Sequence, residues 1–281
     1  MGKQSRIIER CVIPEGPEVK IVTEALEKAL RGKKITNITY LYGRYTKHGP
    51  PDGHNEISLV LPQDVSVVSC KGKFIYIQLA NDWTIWNTLG MTGSWSSIQQ
   101  KHSRAQLHLD DGTSVFFNDI RNFGTLKYVQ GQAELNKKLA SIGPDMLSHD
   151  VDYRTFISRI RTKNDRIITE NLMDQTIISG VGNYLKSECL YFAGISPMRT
   201  CNTMSDAELC KLNDTIKAVI RQSYKTGGAT IYTFQNFDGE KGQYTSRFAV
   251  YNQKTDPKGR DVLSFTSPEG RTTFWVPEEQ T

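Results

Sequence analysis

The spacing of apolar residues changes twice along this chain, and these changes limit the folds that it can adopt. Between residues 18 and 30 apolar positions recur three and four apart, which is typical of a helix, and Gly32 provides a stop. From about residue 35 to 129 they fall in short runs that predict strands. From 152 to 224 long helical segments return, and short extended pieces follow. The order predicts an α+β protein.

The strand-like runs are bounded by turn residues and divide the chain. They are ISLVL, FIYIQLA, WTIWNTLGM, AQLHL and VFFND, with Asp110-Asp111-Gly112 as a hairpin turn. We predict an N-terminal extension at 1–13, a β-sandwich with one long helix at 14–140 and a helical domain at 150–226, with a boundary at Gly143-Pro144-Asp145. At 240–281 the pieces RFAVYNQ, DVLSFTS and RTTFWVP predict a closing hairpin.

Composition excludes several classes of protein. No apolar run approaches the roughly 20 residues that cross a bilayer, and the charged first 13 residues lack the apolar core of a secretory signal. The five cysteines show no CxxC spacing, which favours free thiols in a reducing compartment. We therefore expect an intracellular protein without a membrane partner. A net charge of +5 permits a polyanionic partner but does not require one.

The first motif with chemical potential is PEGPEV, residues 14–19, directly ahead of the first helix. It can be read as a simple helix start, with a proline and acidic residues in the first turn. It can also be catalytic, because a proline with a free N-terminus is a secondary amine able to attack a sugar C1′ and form an iminium. Glu15 beside Pro14 would then move protons on the sugar.

Three further motifs lie at turns between strands. Lys73 precedes the run FIYIQL, where a lysine is usually solvated. Met91 lies in LGMTG, and Arg121 and Phe123 lie in DIRNFG. Core packing is the ordinary role of such apolar residues, but these stand beside glycines at strand ends. Apolar wedges and an arginine at loop tips can fill the gap that a flipped base leaves in a duplex.

Two motifs in the second half could hold phosphates. Asn183 lies in GVGNY, at a predicted helix start whose free backbone N–H groups suit a phosphate, and the surrounding helices predict a helix–turn–helix variant. Arg271 lies in GRTTFW at a predicted hairpin turn. An arginine there is usually solvent-facing, but it can also bind a phosphate.

Taken together and in this order, the motifs resemble those of the Fpg/Nei family of DNA glycosylases. The resemblance covers PEGPEV, LGMTGS, DIRNFG, LMDQ with GVGNY, and GRTT, and it extends over nearly the whole chain. It implies a helix–two-turn–helix domain in the second half. It also implies base excision repair of damaged DNA by a combined N-glycosylase and AP lyase, a hydrolase and a lyase in one enzyme.

The resemblance assigns a role to each motif residue. Pro14 would be the Schiff-base nucleophile, and Glu15 the proton donor that opens the sugar. Lys73 would be the general acid of β-elimination, and Arg271 would hold a phosphate and assist δ-elimination. The DNA-binding residues would be Asn183 on the backbone and Met91, Arg121 and Phe123 in the void.

The chain departs from the usual family pattern in its last segment. Its last cysteine is Cys210 and its last histidine is His149, so the C-terminal hairpin lacks the ligands of a zinc finger. We therefore expect no metal and no other cofactor. The hairpin resembles that of the zincless-finger, endonuclease VIII-like subset, which implies oxidised pyrimidines and hydantoins as substrates.

The second departure concerns the nucleophile. Pro14 follows Ile13 in the sequence, and an amide nitrogen is not nucleophilic. We expect an alternative start or processing to leave Pro14 at the N-terminus. Otherwise another amine such as Lys73 acts, or the chain is a non-catalytic damaged-DNA-binding protein on the same fold. We expect a monomer in each case.

Overall fold

The computed structural model describes residues 13–147, 151–229 and 243–281. In these ranges the helices are α1 (Gly16–Leu30), α2 (Arg44–Lys47), α3 (His54–Ser58), α4 (Gln132–Ser141), α5 (Tyr153–Arg161), α6 (Ile168–Met173), α7 (Asn183–Ala193) and α8 (Asp206–Lys225). The strands are β1 (Lys34–Tyr40), β2 (Gln63–Lys71), β3 (Phe74–Leu79), β4 (Trp83–Thr88), β5 (Gly93–Ser96), β6 (Ser103–Leu109), β7 (Ser114–Asp119), β8 (Thr125–Gln130), β9 (Leu263–Thr266) and β10 (Thr272–Trp275). The predicted α+β class is confirmed.

Strands β1 to β8 form one antiparallel sheet with the order β5-β7-β6-β1-β2-β3-β4-β8. β1 and β2 pair at only two positions, which divides the sheet into two four-stranded halves. Ile35, Ile75 and Leu26, from the two halves and from α1, belong to one buried core. A shared core requires the halves to face each other, in agreement with the predicted β-sandwich.

Helix α1 begins two residues before the apolar spacing predicts, because its first turn is capped. The backbone N–H of Glu15 donates to the Glu18 carboxylate at 2.8 Å, and Pro17 lies in the first turn, where its missing N–H is not needed. Val22 and Leu26 are fully buried. The helix packs on both β2 and α8, so it connects the two cores of the protein.

The prediction of a strand at ISLVL was wrong. Ile57 and Ser58 end α3, and residues 59 and 60 form a turn. Only Ile57 is fully buried, whereas the side chain of Leu59 is 86% exposed, so the run has no alternating apolar face to place on a sheet. Pro62 follows directly and has no N–H to donate to a strand ladder.

The predicted helices of the second half are confirmed, and the turns between α6 and α7 are fixed by side chains. The Asp174 carboxylate accepts the N–H of Thr176 at 3.0 Å. The Gln175 amide donates to the carbonyl of Val181 at 2.9 Å and accepts the N–H of Gly180 at 3.1 Å. These contacts shape the two-turn connection that ends at the first residue of α7.

The C-terminal hairpin shares the core of the helical domain. Val250 and Phe274 pack in the same cluster as Phe156 and Leu185, and β9 pairs with β10 from Leu263–Trp275 to Thr266–Thr272. The closing hairpin is thus confirmed. The predicted domain limits at 150 and 240, and residues 1–12 of the predicted extension, lie outside the described residues.

The extended form predicted for RFAVYNQ was wrong, and Glu188 on α7 explains why. Its buried carboxylate accepts the backbone N–H groups of Ala249, Val250 and Tyr251 at 2.8–2.9 Å. One carboxylate thereby takes three consecutive donors that an extended strand would have given to a ladder.

None of the helices in the described ranges is long and apolar enough to span a membrane.

Candidate active site

One cavity brings together four of the residues that the sequence singled out. Pro14, Lys73, Met91 and Arg271 line it. They come from the start of α1, the β2–β3 turn, the segment before β5 and the β9–β10 turn, so the fold makes neighbours of widely separated segments. The cavity has a volume of about 280 Å³, and its other lining residues are Ile13, Val19, Thr88, Leu89 and Gly90. Asn183, Arg121 and Phe123 do not line it.

Glu15 is buried next to this cavity, at the N-terminus of α7. Its Oε2 accepts the N–H groups of Gly182 and Leu185 at 2.8 and 3.2 Å. Its Oε1 accepts the N–H of Tyr184 at 2.8 Å. Burial raises the pKa of Glu15 to about 7, against the opposing effects of Lys73 and the backbone donors. Near neutral pH both protonation states are therefore populated, which suits a proton donor.

Gly182 is required by this contact. A Cβ atom at residue 182 would lie 2.3 Å from the carboxyl carbon of Glu15, far inside van der Waals contact. Only a residue without a side chain lets the carboxylate reach the first turn of α7. Gly182 of GVGNY, a motif that the sequence linked to a phosphate, therefore makes room for the Glu15 carboxylate in this structure.

Glu18 is a site residue that sequence reasoning assigned only to the helix dipole. It is buried, and its carboxylate accepts the N–H of Ala229 at 2.7 Å and the hydroxyl of Tyr184 at 3.0 Å, besides the N–H of Glu15. The Tyr184 oxygen also contacts the Ser223 hydroxyl at 2.9 Å. Burial raises the pKa of Glu18. Its spacing of three residues from Glu15 is a capping signal that the sequence shows. Its partners on α7 and after α8 cannot be seen in the sequence.

Lys73 follows a turn that presses against the helical domain. Gly72 has a φ of +57°, its N–H donates to Asp145 at 2.9 Å, and a Cβ there would lie 2.6 Å from that of Ser179. Burial lowers the pKa of Lys73, and the nearby carboxylate of Glu15 raises it. Lys73 is thus a partly buried amine with a carboxylate beside it.

The loop after β7 is held by the buried carboxylate of Asp119. It accepts the backbone N–H of Arg121 at 3.1 Å and the hydroxyl of Thr92, next to Met91. The guanidinium carbon of Arg121 lies 5.1 Å from the ring centre of Phe123, whose side chain is 54% exposed. The structure therefore places the three residues predicted to fill a void on two adjoining loops.

Asn183 lies beside β10, the strand that directly follows Arg271. Its amide donates to the carbonyl of Thr272 at 3.0 Å. Ser187, one turn later on α7, accepts the N–H of Phe274 at 3.3 Å. These contacts attach β10 to α7 and hold the hairpin turn, with the exposed Arg271, at the rim of the cavity.

A buried ion pair fixes the same hairpin turn. Lys186 is fully buried on α7, and its Nζ lies 2.6 Å from Oε1 of Glu269, two residues before Arg271. Burial lowers the pKa of Lys186, and Glu269 raises it. Sequence reasoning missed the pair because a lysine within a helix is normally solvated, and nothing local marks its partner 83 residues away.

Polar contacts also hold the remainder of the hairpin region. The Arg260 guanidinium lies 2.6 Å from Asp256 and 2.5 Å from Glu279, and Tyr191 on α7 donates to Asp256 at 3.1 Å. Within the described ranges no group of three or more His, Cys, Asp or Glu side chains is placed to hold a metal ion.

Known proteins resemble this chain in sequence and in fold. The formamidopyrimidine-DNA glycosylase N-terminal domain matches residues 13–126, and the formamidopyrimidine-DNA glycosylase H2TH domain matches residues 142–235. A formamidopyrimidine-DNA glycosylase of Listeria monocytogenes serotype 4b (strain F2365) is 31% identical over 87% of this chain and 90% of its own length. That of Oceanobacillus iheyensis is 30% identical over 94% and 96%.

Two solved structures have the same fold as this chain. The MutM (Fpg) protein from Thermus thermophilus superimposes with a TM-score of 0.84 and 27% identity, over 95% of this chain and 98% of its own. The Lactococcus lactis Fpg in complex with DNA that contains an abasic site gives a TM-score of 0.82 and 26% identity, over 95% and 99%. Sequence and fold agree along almost the whole length, and the chain therefore belongs to the formamidopyrimidine-DNA glycosylase (Fpg/Nei) family of DNA glycosylases.

Proposed function

We propose that this protein excises oxidised bases from DNA and then cleaves the strand by β,δ-elimination, with the Pro14 amine as nucleophile. The observation that carries the proposal is the cavity lined by Pro14, Lys73 and Arg271 beside the buried Glu15. The residue that becomes an amine once Pro14 is the N-terminus, a proton donor and two cations meet there from distant parts of the chain. A protein that only binds DNA needs phosphate contacts and a wedge, but not a carboxylate with a pKa of about 7.

The first stage joins the amine to the sugar. The lone pair of the Pro14 nitrogen forms a bond to C1′ of the damaged nucleotide, and the N-glycosidic bond breaks with its electron pair going to the base, which takes the proton that the nitrogen loses and leaves as a neutral base. Glu15 protonates O4′, the C1′–O4′ bond breaks with its electron pair going to that oxygen, and the nitrogen lone pair forms a double bond to C1′, so a cationic iminium joins Pro14 to C1′. A Glu15 that is partly protonated at neutral pH suits this step.

The second stage removes the two phosphates. Loss of a C2′ proton from the iminium expels the 3′ phosphate, and loss of a C4′ proton expels the 5′ phosphate. We assign the general-acid role in the first elimination to Lys73, a half-buried residue whose pKa is raised by the nearby Glu15 carboxylate and lowered by burial. Arg271, exposed at the hairpin turn, would hold a phosphate and assist the second elimination.

Four residues outside the reaction are assigned to DNA binding. Met91, Arg121 and Phe123 would fill the space that the flipped nucleotide leaves, since Phe123 is exposed on a loop braced by Asp119. Asn183 would contact the DNA backbone, although its amide also holds Thr272 in the free protein. We further propose that the protein acts as a monomer.

The similarity to the relatives and the resemblance of the hairpin point to different preferred lesions. The relatives are named formamidopyrimidine-DNA glycosylases, and one Lactococcus lactis structure contains Fapy-dG DNA. The hairpin without zinc ligands instead resembles the endonuclease VIII-like subset, which favours oxidised pyrimidines and hydantoins. We propose the second class as preferred, and excision rates on matched duplexes with one lesion of each kind will measure the preference.

The decisive experiment concerns the Pro14 nitrogen, which is acylated by Ile13 in the full-length chain. A version that begins at Pro14 should form an adduct with abasic-site DNA that borohydride reduces to a stable amine, seen on a denaturing gel. The version with residues 1–13 intact, verified by mass, is the matched control and should not be trapped.

Each alternative predicts a different outcome. Equal trapping of both versions would remove Pro14 as the nucleophile and make Lys73 the candidate. Trapping of neither version, with tight binding to damaged DNA retained, would favour a non-catalytic damaged-DNA-binding protein. Mass spectrometry of the natively produced protein then tests whether Pro14 is its first residue.

A further inference from the structure

We propose that a second cavity, next to the catalytic one, binds an unpaired nucleotide of the same DNA substrate. The inference rests on the proposed function, because it adds a subsite to that substrate. The second cavity has a volume of about 670 Å³, which is within the range of small-molecule sites. It lies at the outer face of β3 and β4, between α4 and the segment that includes α2.

The charges around this cavity suit a phosphate. Arg44, His48, Lys127 and Lys138 line it, and Asp52 is the one acidic side chain among the described residues of its lining. Asp52 is itself largely exposed, 3.6 Å from the Lys127 ammonium, so the pair is solvated and weak. A nucleotide phosphate would therefore meet an excess of positive charge.

The wall of the cavity suits a base. Trp86 is half-buried on β4, and its indole N–H donates to Thr84 at 2.7 Å, which fixes the ring. Phe74 packs edge-on against it at 5.5 Å between ring centres, and the Lys138 ammonium lies 5.3 Å from the Phe74 ring centre. An indole fixed in a wall that also carries the Lys138 ammonium combines stacking with charge, which is how proteins hold unpaired nucleotides.

The position of the cavity indicates that the nucleotide belongs to the DNA substrate itself. Thr88 lines both this cavity and the catalytic one. The Arg44 guanidinium donates to the carbonyls of Asn122 and Gly124 at 3.2 and 3.3 Å, so it touches the loop that carries Phe123. A strand whose damaged nucleotide enters the catalytic cavity thus brings its neighbouring nucleotides to Thr88.

The test compares two DNA probes that carry a non-cleavable abasic analogue. One is a complete duplex, and in the other the nucleotide next to the analogue is unpaired. The full-length chain should bind the second probe more tightly. Trp86→Leu should weaken that binding by about 5- to 150-fold, the usual effect of losing one stacked base, and leave duplex binding unchanged.

Three variants make the result specific. Trp86→Phe keeps an aromatic ring and should keep the preference, which separates stacking from misfolding. Phe192→Leu, at a half-exposed ring on α7 away from the cavity, should change nothing. Lys138→Ala should lower the salt slope of binding by about one for the unpaired probe and not for the duplex.

The outcomes separate this proposal from the proposed function. Equal affinity of the wild type for both probes, or a Trp86→Leu variant with the preference intact, would overturn the subsite even if the chain that begins at Pro14 is trapped normally. A preference that depends on Trp86, without trapping, would refute the catalytic role and keep the subsite. If dAMP binds at Trp86 while DNA preference does not depend on that residue, the occupant is a free nucleotide and the proposal is wrong.

Discussion

Replacing Glu269 with leucine should destabilise the protein, because it leaves the Lys186 ammonium group buried without its partner. Lys186 is fully buried, and its Nζ lies 2.6 Å from Glu269, which is itself largely buried. Removing one member of such a pair costs about 3–5 kcal/mol in free energy of unfolding. The already lowered pKa of Lys186 lets it lose its proton, so we expect a value near the lower end.

The double variant Lys186→Met/Glu269→Leu is the matched control. Both charges are then gone and the apolar volumes are similar, so its stability should be within about 1–2 kcal/mol of wild type or above it. Urea unfolding followed by tryptophan fluorescence gives all four corners of the double-mutant cycle. A cost of less than about 1 kcal/mol for Glu269→Leu, with additive effects, would show that the pair behaves like a solvated one and refute the reasoning.

The same four variants can be compared by the rates at which they form the two elimination products. Glu269 lies two residues before Arg271 in one hairpin turn, so loss of the ion pair should displace the Arg271 guanidinium more than Lys73 or Pro14. We expect the single variant to form the β-elimination product at the wild-type rate and the δ-elimination product more slowly. The double variant should recover part of the second rate.

Three other predictions follow from the site. Gly182→Ala should lower the free energy of unfolding by about 1–3 kcal/mol and strongly reduce trapping, because the new Cβ overlaps Glu15, and normal values for both would contradict that overlap. The pKa of Glu15 is raised from 4.5 to about 7, so the stability that its protonated form contributes is present at low pH and is lost as pH rises from about 4.5 to 7. Glu15→Gln should therefore flatten the measured curve of stability against pH in that range. Activity should survive EDTA, since no Cys follows Cys210 and no His follows His149, and a loss restored by zinc would be the opposite result.

The sequence allowed the family and the chemical groups to be recognised because these depend on local patterns. Short apolar runs predicted β3, β4, β6 and β7, and helical segments predicted α5 to α8. The motif glycines were informative for a physical reason: at Gly72 and Gly182 another segment approaches so closely that a side chain cannot fit. Such requirements leave a mark at one position, where sequence reasoning can find it.

What remained hidden depends on contacts between distant segments. Glu188 takes three backbone donors that would otherwise have formed a strand at RFAVYNQ, and no local propensity contains that information. Lys186 and Glu269 each look like surface residues until the hairpin is docked on α7. Asn183 was assigned to DNA from its motif, but its hydrogen bond to Thr272 depends on the same docking.

The contact between Glu15 and the first turn of α7 makes the pKa of Glu15 depend on both domains. The residue proposed to donate a proton belongs to the β-sandwich, but its three backbone donors belong to the helical domain. Separated from that domain, the same carboxyl would be solvated and would titrate as an ordinary glutamate. The raised pKa of Glu15 therefore arises from assembly of the two domains, and it can be used to report whether they are docked.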